Sequence, residues 1–140
     1  MQDLMPYLMF NGDCAAAFDH YKECFGGEIE FMGKYGDSPM EVPDDQKDKV
    51  MHTTIRFWGG AIMGSDYVKE ADYTTEGSSA NVHLSLSFKD AETMDATFEK
   101  LGAGGTVTMP LGDQFWGDRF GMLTDRFGIQ WMFSCPAKKE

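Results

Sequence analysis

The sequence predicts an α+β fold built from two copies of a strand–helix–three-strand (βαβββ) module, and three observations carry the prediction. First, the segment FNGDCAAAFDHYKECFGGEI at 10–29 is matched by FKDAETMDATFEKLGAGGTV at 88–107. Each opens on an aromatic residue that ends a strand and places an Asp at a helix start. Each then closes on glycines before a β-branched residue. Second, both segments carry helical periodicity. Cys14, Phe18, Tyr21 and Phe25 share one face, as do Ala91, Met94, Phe98 and Leu101. Third, each helix is followed by strand-like runs. The two segments lie too far apart for a solenoid repeat and suit an internal duplication.

Asp13 and Asp90 are expected to cap the helices through their side chains. Gly26-Gly27 and Gly102 are expected to end them. After the first helix, strands are expected at 28–35, 50–57 and 61–65, with a turn at Trp58-Gly59-Gly60. After the second, strands are expected at 106–109, 119–124 and 129–134, the last two joined by Asp125-Arg126-Phe127-Gly128. The 140 residues read as one domain with a first module at 1–72 and a second at 80–140. The polar stretch 66–79 joins them. The acidic, proline-containing stretch 36–49 reads as a mobile loop, solvated or serving as a lid.

Composition excludes several classes of function. Twelve Lys+Arg stand against 23 Asp+Glu, a formal net charge of −11. Such a surface repels nucleic acid and anionic membranes. No apolar run reaches the length of a membrane helix. The start, Met1-Gln2-Asp3-Leu4, lacks the basic and apolar regions of a signal peptide. The three cysteines, Cys14, Cys24 and Cys135, form no CxxC pair. They read as free thiols buried in the core of a cytoplasmic protein.

The strand patterns point to a site. In 82–88, Val82, Leu84, Leu86 and Phe88 alternate with His83, Ser85 and Ser87. In 51–57, His52, Thr54 and Arg56 share one face. Two sheets with such faces either line a cavity or turn them to solvent. His83 and His52 are the candidate polar anchors, able to meet across a cup as an acid–base pair near neutral pH. Phe115 and Trp116 are candidates to stack on a ligand at its mouth, and Arg56 completes the candidate set. His20, beside the apolar stripe of the first helix, is expected at the surface. No catalytic residue is assigned.

The duplicated module, with YLMFNGDCAAAFDHYKECFGG, KVMHTTIRF, IMGSD and VTMPLGDQFWGDRFGMLTDRFGIQWM, resembles the vicinal oxygen chelate superfamily, which includes glyoxalase I, extradiol dioxygenases and fosfomycin-resistance proteins. It is similar above all to the PhnB-like branch. The resemblance implies cupped sheets, a homodimer and a small oxygenated ligand. It also implies a divalent metal (Zn, Ni, Mn or Fe) that chelates substrate oxygens. The implied ligand positions fall on Met5 or Pro6, Met63 or Gly64, His83 and Met132, so only His83 matches. A Zn or Ni site needs at least three suitable donors, and thioethers suit a hard cation poorly. The expectation is therefore a site with no cofactor. The protein is then either a lyase-, isomerase- or dioxygenase-like enzyme lacking the usual ligand set, or a metal-free binder of the bleomycin-resistance type. PhnB-like proteins also carry a label as ubiquinone-related methyltransferases, but the Gly-rich loop of a doubly wound methyl-donor site is missing here.

Overall fold

The structure, a computed structural model, describes residues 4–39, 41–67 and 82–136. Most of the expected connecting stretch, 68–79, lies outside them. The chain divides into two compact units, Met1–Tyr73 and Thr74–Glu140.

The first unit holds β1 (Tyr7–Phe10), α1 (Cys14–Phe25), β2 (Glu28–Lys34), β3 (Val50–Phe57) and β4 (Gly60–Asp66). Its sheet runs β1-β4-β3-β2, with β1 parallel to β4 and the other pairs antiparallel. The second unit repeats this plan. It holds β5 (Leu84–Ser87), α2 (Ala91–Gly102), β6 (Thr106–Asp113), β7 (Arg119–Thr124) and β8 (Gln130–Cys135), in the order β5-β8-β7-β6. Among the described residues, two α-helices and eight strands in two mixed sheets thus give the α+β fold expected. Among the described residues no helix is long and apolar enough to cross a membrane.

Each helix packs its apolar stripe on one face of its own sheet. Cys14, Phe18, Tyr21 and Phe25 are buried, against Phe10, Ile55, Phe57 and Ile62 of the strands. Full burial of a side chain such as Phe18 contributes about 1.5–3 kcal/mol. Phe25 stacks on Phe57 with ring centroids 4.4 Å apart. In the second unit Met94, Phe98 and Leu101 meet Leu123, Trp131 and Phe133. Phe133 is stacked on Phe88 at 5.3 Å and edge-on to Phe98 at 5.0 Å.

The caps depart from the expected pattern in the first unit. Asp90 caps α2, its carboxylate accepting from Thr93 N at 2.7 Å, and this bond holds its carboxyl below the usual range. Asp13 occupies the matching place at α1 without a side-chain cap. Asp66, from the end of β4, takes over. Its Oδ1 accepts from Gly12 N (2.9 Å) and Cys14 N (3.0 Å), and its Oδ2 from Val50 N (2.9 Å). One carboxylate, 1% exposed, thereby ties the start of α1 and the start of β3 to the end of β4. The helices also end differently. Gly26 closes α1 at φ 79°, where a Cβ would be strained, whereas α2 runs through Gly102.

Other expectations need correction. His20 is 6% exposed, 3.8 Å from the Cys24 sulfur one turn on, because α1 buries a wider arc than its aromatic stripe marks. The stretch 36–49 is hydrogen-bonded where it leaves β2 and where it enters β3. It contains two 3-10 turns, Tyr35–Asp37 and Asp44–Gln46. Tyr35 N and Gly36 N donate to Lys49 O and Lys47 O, and Tyr35 Oη donates to Asp66 O. β6 continues past Pro110, where the sequence suggests a stop. It is an edge strand, so a missing N–H facing outward breaks no ladder bond. The β3–β4 hairpin turns on Trp58-Gly59 alone, with Phe57 paired to Gly60. Trp58 adopts φ 51°, a left-handed conformation unusual for a bulky side chain. Edge contacts with Phe57 and Phe25 at 5.3 and 5.5 Å offset its cost.

Cys14, Cys24 and Cys135 are buried as expected, and no disulfide joins them among the described residues. Burial, with the charges of Asp66 and Asp13 adding to it, pushes the Cys14 thiol far above its ordinary value, which leaves it unreactive.

Asp66→Ala would strand three backbone donors, two of them buried, at about 1–3 kcal/mol each where water cannot replace the carboxylate. Urea unfolding is expected to show a loss of about 3 kcal/mol or more, with Asp66→Asn, which keeps one acceptor, losing less. A change within the noise of the measurement would mean the knot is not structural.

Candidate functional site

Each sheet has one face under its helix and one face bare of it. In the first unit, a Cβ on Gly64 would meet the Phe18 ring at 2.7 Å, so Gly64 marks the α1 side. Alternation then puts Met63 and Ser65 on the opposite face. Directly paired residues share a face. Tyr7 and Thr54, which both pair with Met63, lie there, and so does Phe31, which pairs with Thr54. His52 and Arg56 follow Thr54 by alternation along β3.

His52 is the centre of this face. Its Nδ1 is 2.9 Å from Tyr7 Oη, and its Nε2 is 3.3 Å from Thr54 Oγ1. The Tyr7 and Phe31 rings flank it, with centroids at 5.6 and 6.1 Å. Both are open to solvent, at 44% and 53%. Phe31 lies over Gly33, where a Cβ would meet the ring at 2.8 Å. Met63 and Met9 share this face by register, and Ser65 Oγ donates to Met9 Sδ at 3.3 Å.

The hydroxyl–imidazole–hydroxyl chain has a definite chemistry. A neutral imidazole offers one donor and one acceptor, and each hydroxyl can donate or accept. If Tyr7 donates to Nδ1, Nε2 carries the proton and donates to Thr54, whose own hydrogen then points elsewhere. If the chain runs the other way, the Tyr7 hydrogen is released. Either direction leaves one hydroxyl able to donate to a ligand oxygen.

Of the remaining candidates, Arg56 belongs to the first unit, and His83, Phe115 and Trp116 to the second. Arg56 is exposed and paired with Glu30. His83 precedes β5 in the second unit and is half-buried. By alternation it faces the helix-free side with Ser85, which pairs with Met132. Trp116 is in the β6–β7 loop, edge-on to Phe120 at 5.8 Å and to Phe115 at 5.0 Å. Phe115 is almost fully exposed. His83 lies beyond the Leu84–Trp131 pair, near the Gln130 end of β8, whereas Phe120 pairs with Ser134 at the other end. At about 3.3 Å per residue those ends are roughly 13 Å apart, so His83 and Trp116 are not neighbours.

Tyr7 and Phe31 were not singled out from the sequence as ligand contacts. Tyr7 alternates with Leu8 as any half-buried strand residue does. Phe31 reaches this face through a register irregularity between Ile29 and Phe31, which shifts the parity of β2.

The fold's implied metal can be tested against the donors. Met63 and Met132 lie on the helix-free faces of their sheets, each beside a hydroxyl residue. Gly64 faces α1 and has no side chain. His83 is the one nitrogen donor in the set. Among the described residues no three His, Cys, Asp or Glu side chains cluster as a metal site would require. One imidazole with thioethers does not fit a hard divalent cation.

Comparison with known proteins places this architecture. The model of the Glyoxalase/Bleomycin resistance protein/Dioxygenase superfamily matches residues 4–133. The chain belongs to that superfamily. Among solved structures, protein PA1353 from Pseudomonas aeruginosa superposes with a TM-score of 0.86 at 40% identity, covering 99% of this chain and 100% of that one. The PhnB protein from Bacillus cereus superposes at 0.80 with 27% identity, covering 96% and 99%. Protein YjdN of Escherichia coli is 28% identical over 94% of this chain and 93% of its own. The family member described here is thus PhnB-like, in keeping with the motifs of both modules.

Proposed function

We propose that the protein binds a small oxygenated organic molecule on the helix-free face of its first unit, without a metal ion. The observation supporting this most is His52, hydrogen-bonded at both ring nitrogens and flanked by two solvent-open rings. A site that combines a few placed polar groups with aromatic and apolar area is how proteins hold small molecules. Tyr7 or Thr54 donates to a ligand oxygen, Phe31 packs on its carbon frame, and the pliable Met63 and Met9 adapt to its shape. The same chain also supports a second reading, chemistry on the bound molecule, because it can pass a proton from Tyr7 to Thr54 through His52.

A thermal-shift screen of small ketones, hydroxy acids and phenols, followed by calorimetry, tests the site. Hits are expected to lose about two- to tenfold in affinity in His52→Ala, the net worth of a part-buried hydrogen-bond partner. Equal binding by His52→Ala and Tyr7→Phe would place the site elsewhere. A hit recovered unchanged after long incubation supports the binder, and a converted one the enzyme.

The metal-free reading predicts only trace Zn, Ni, Mn or Fe by elemental analysis after dialysis. A stoichiometric metal that disappears in His83→Ala would overturn it.

A homodimer belongs to this reading. β2 and β6 are edge strands, and uncovered edges are a liability. An interface of over ~1,200 Å² is expected. Sedimentation velocity at micromolar concentration should show the dimer, and a monomer alone would count against it.

A further inference from the structure

The helix-bearing side of the second unit carries a groove of about 520 Å³ that the ligand face does not use. Its walls include Lys89, Asp113, Gln114, Arg119, Cys135 and Pro136. Arg119 and Cys135 are a cross-strand pair. Arg119 reaches Asp95 of α2, which fixes the pair on the helix side, whereas Phe120 and Ser134 lie on the other face. The volume falls within the usual range for small-molecule sites.

The charges in this groove divide into committed and open groups. Arg119 spends Nε and Nη2 on the Asp95 carboxylate at 3.0 and 3.1 Å. Its Nη1 is 4.0 Å from Asp113, beyond hydrogen-bond reach. Asp90 is committed to the α2 cap. Gln114 donates from Nε2 to Gly112 O at 3.0 Å, and its amide oxygen stays open. Lys89 makes no ion pair among the described residues. What remains is the Lys89 ammonium and the Gln114 amide oxygen, with Arg119 Nη1 and the Asp113 carboxylate held to each other only by a loose ion pair at 4.0 Å. Cys135 and Pro136 supply an apolar stretch.

We propose that this groove is a second binding site and takes a small zwitterion, a molecule carrying one carboxylate and one ammonium on a short apolar spacer. The carboxylate meets Lys89 and Arg119 Nη1, and the ammonium meets Asp113 and the Gln114 oxygen. A dianion would face Asp90, Asp95 and Asp113 in a chain of net charge −11, and a dication would face Lys89 and Arg119. A molecule neutral overall avoids both penalties and still satisfies both ends. Exposed charges give weak pairing, so dissociation constants of about 1–10 mM are expected.

The test is amide NMR titration of the full chain with linear ω-amino acids from glycine to ε-aminocaproate. Butyrate and butylamine serve as single-charge controls. At least one ω-amino acid should shift the amides of Gly117, Arg119 and Cys135, and bind about threefold or more tighter than either control, since each exposed pair is worth up to about 1 kcal/mol. Lys89→Gln and Asp113→Asn should each weaken that binding by a similar factor. His52→Ala should leave it unchanged, which separates this site from the ligand face of the first unit. Butyrate binding as tightly as every ω-amino acid, or no shift of these amides throughout the series, would overturn the proposal.

Discussion

The carboxylate of Asp66 sits where three chain segments of the first unit meet. Gly12 and Cys14 at the entry to α1, and Val50 at the entry to β3, donate backbone N–H groups to its two oxygens. Its own carbonyl accepts from Tyr35 Oη, which brings in the end of β2. A buried carboxylate is costly unless fully hydrogen-bonded, and these donors are costly unless accepted. Each resolves the other. This happens on the α1 side of the sheet, and on the opposite face Tyr7, His52 and Thr54 bond one another.

The second unit shares the topology and solves its junctions with different chemistry. Asp90 caps α2 directly. Asp125, also buried, accepts from Phe127 N and Ile129 N and from Trp131 Nε1, so its carboxylate holds the β7–β8 turn and the largest core side chain together. One carboxylate serves a helix entry in the first unit and a hairpin in the second. The faces have diverged as well. The first is aromatic around an imidazole, and the second carries Ser85, Met122, Met132 and Ser134. Duplication preserved the frame and left each face free to change.

Much of this was legible in the sequence because periodicity reports burial. The stripes Cys14–Phe18–Tyr21–Phe25 and Met94–Phe98–Leu101 mark two helices, and β3 and β7 span the residues their alternation indicates. The grouping of His52 with Thr54 was equally plain, since a period of two leaves no choice of face. The misreadings share one cause. His20 and Asp13 each depend on what another segment contributes, and local pattern is blind to it.

The sequence by itself therefore determined the fold class and the repeated module, both consequences of short-range pattern repeated along the chain, and its motifs carried the resemblance to the superfamily. The tertiary structure alone decided which groups stand together. It brought Tyr7 of β1 to His52 of β3, moved Phe31 onto their face through an irregular register, and gave the capping of α1 to Asp66. It also set Arg119 of β7 against Asp95 of α2, opening a charged groove beside them. Hydrogen bonds and ion pairs act over a few ångströms, and such distances between remote residues exist only once the strands have paired.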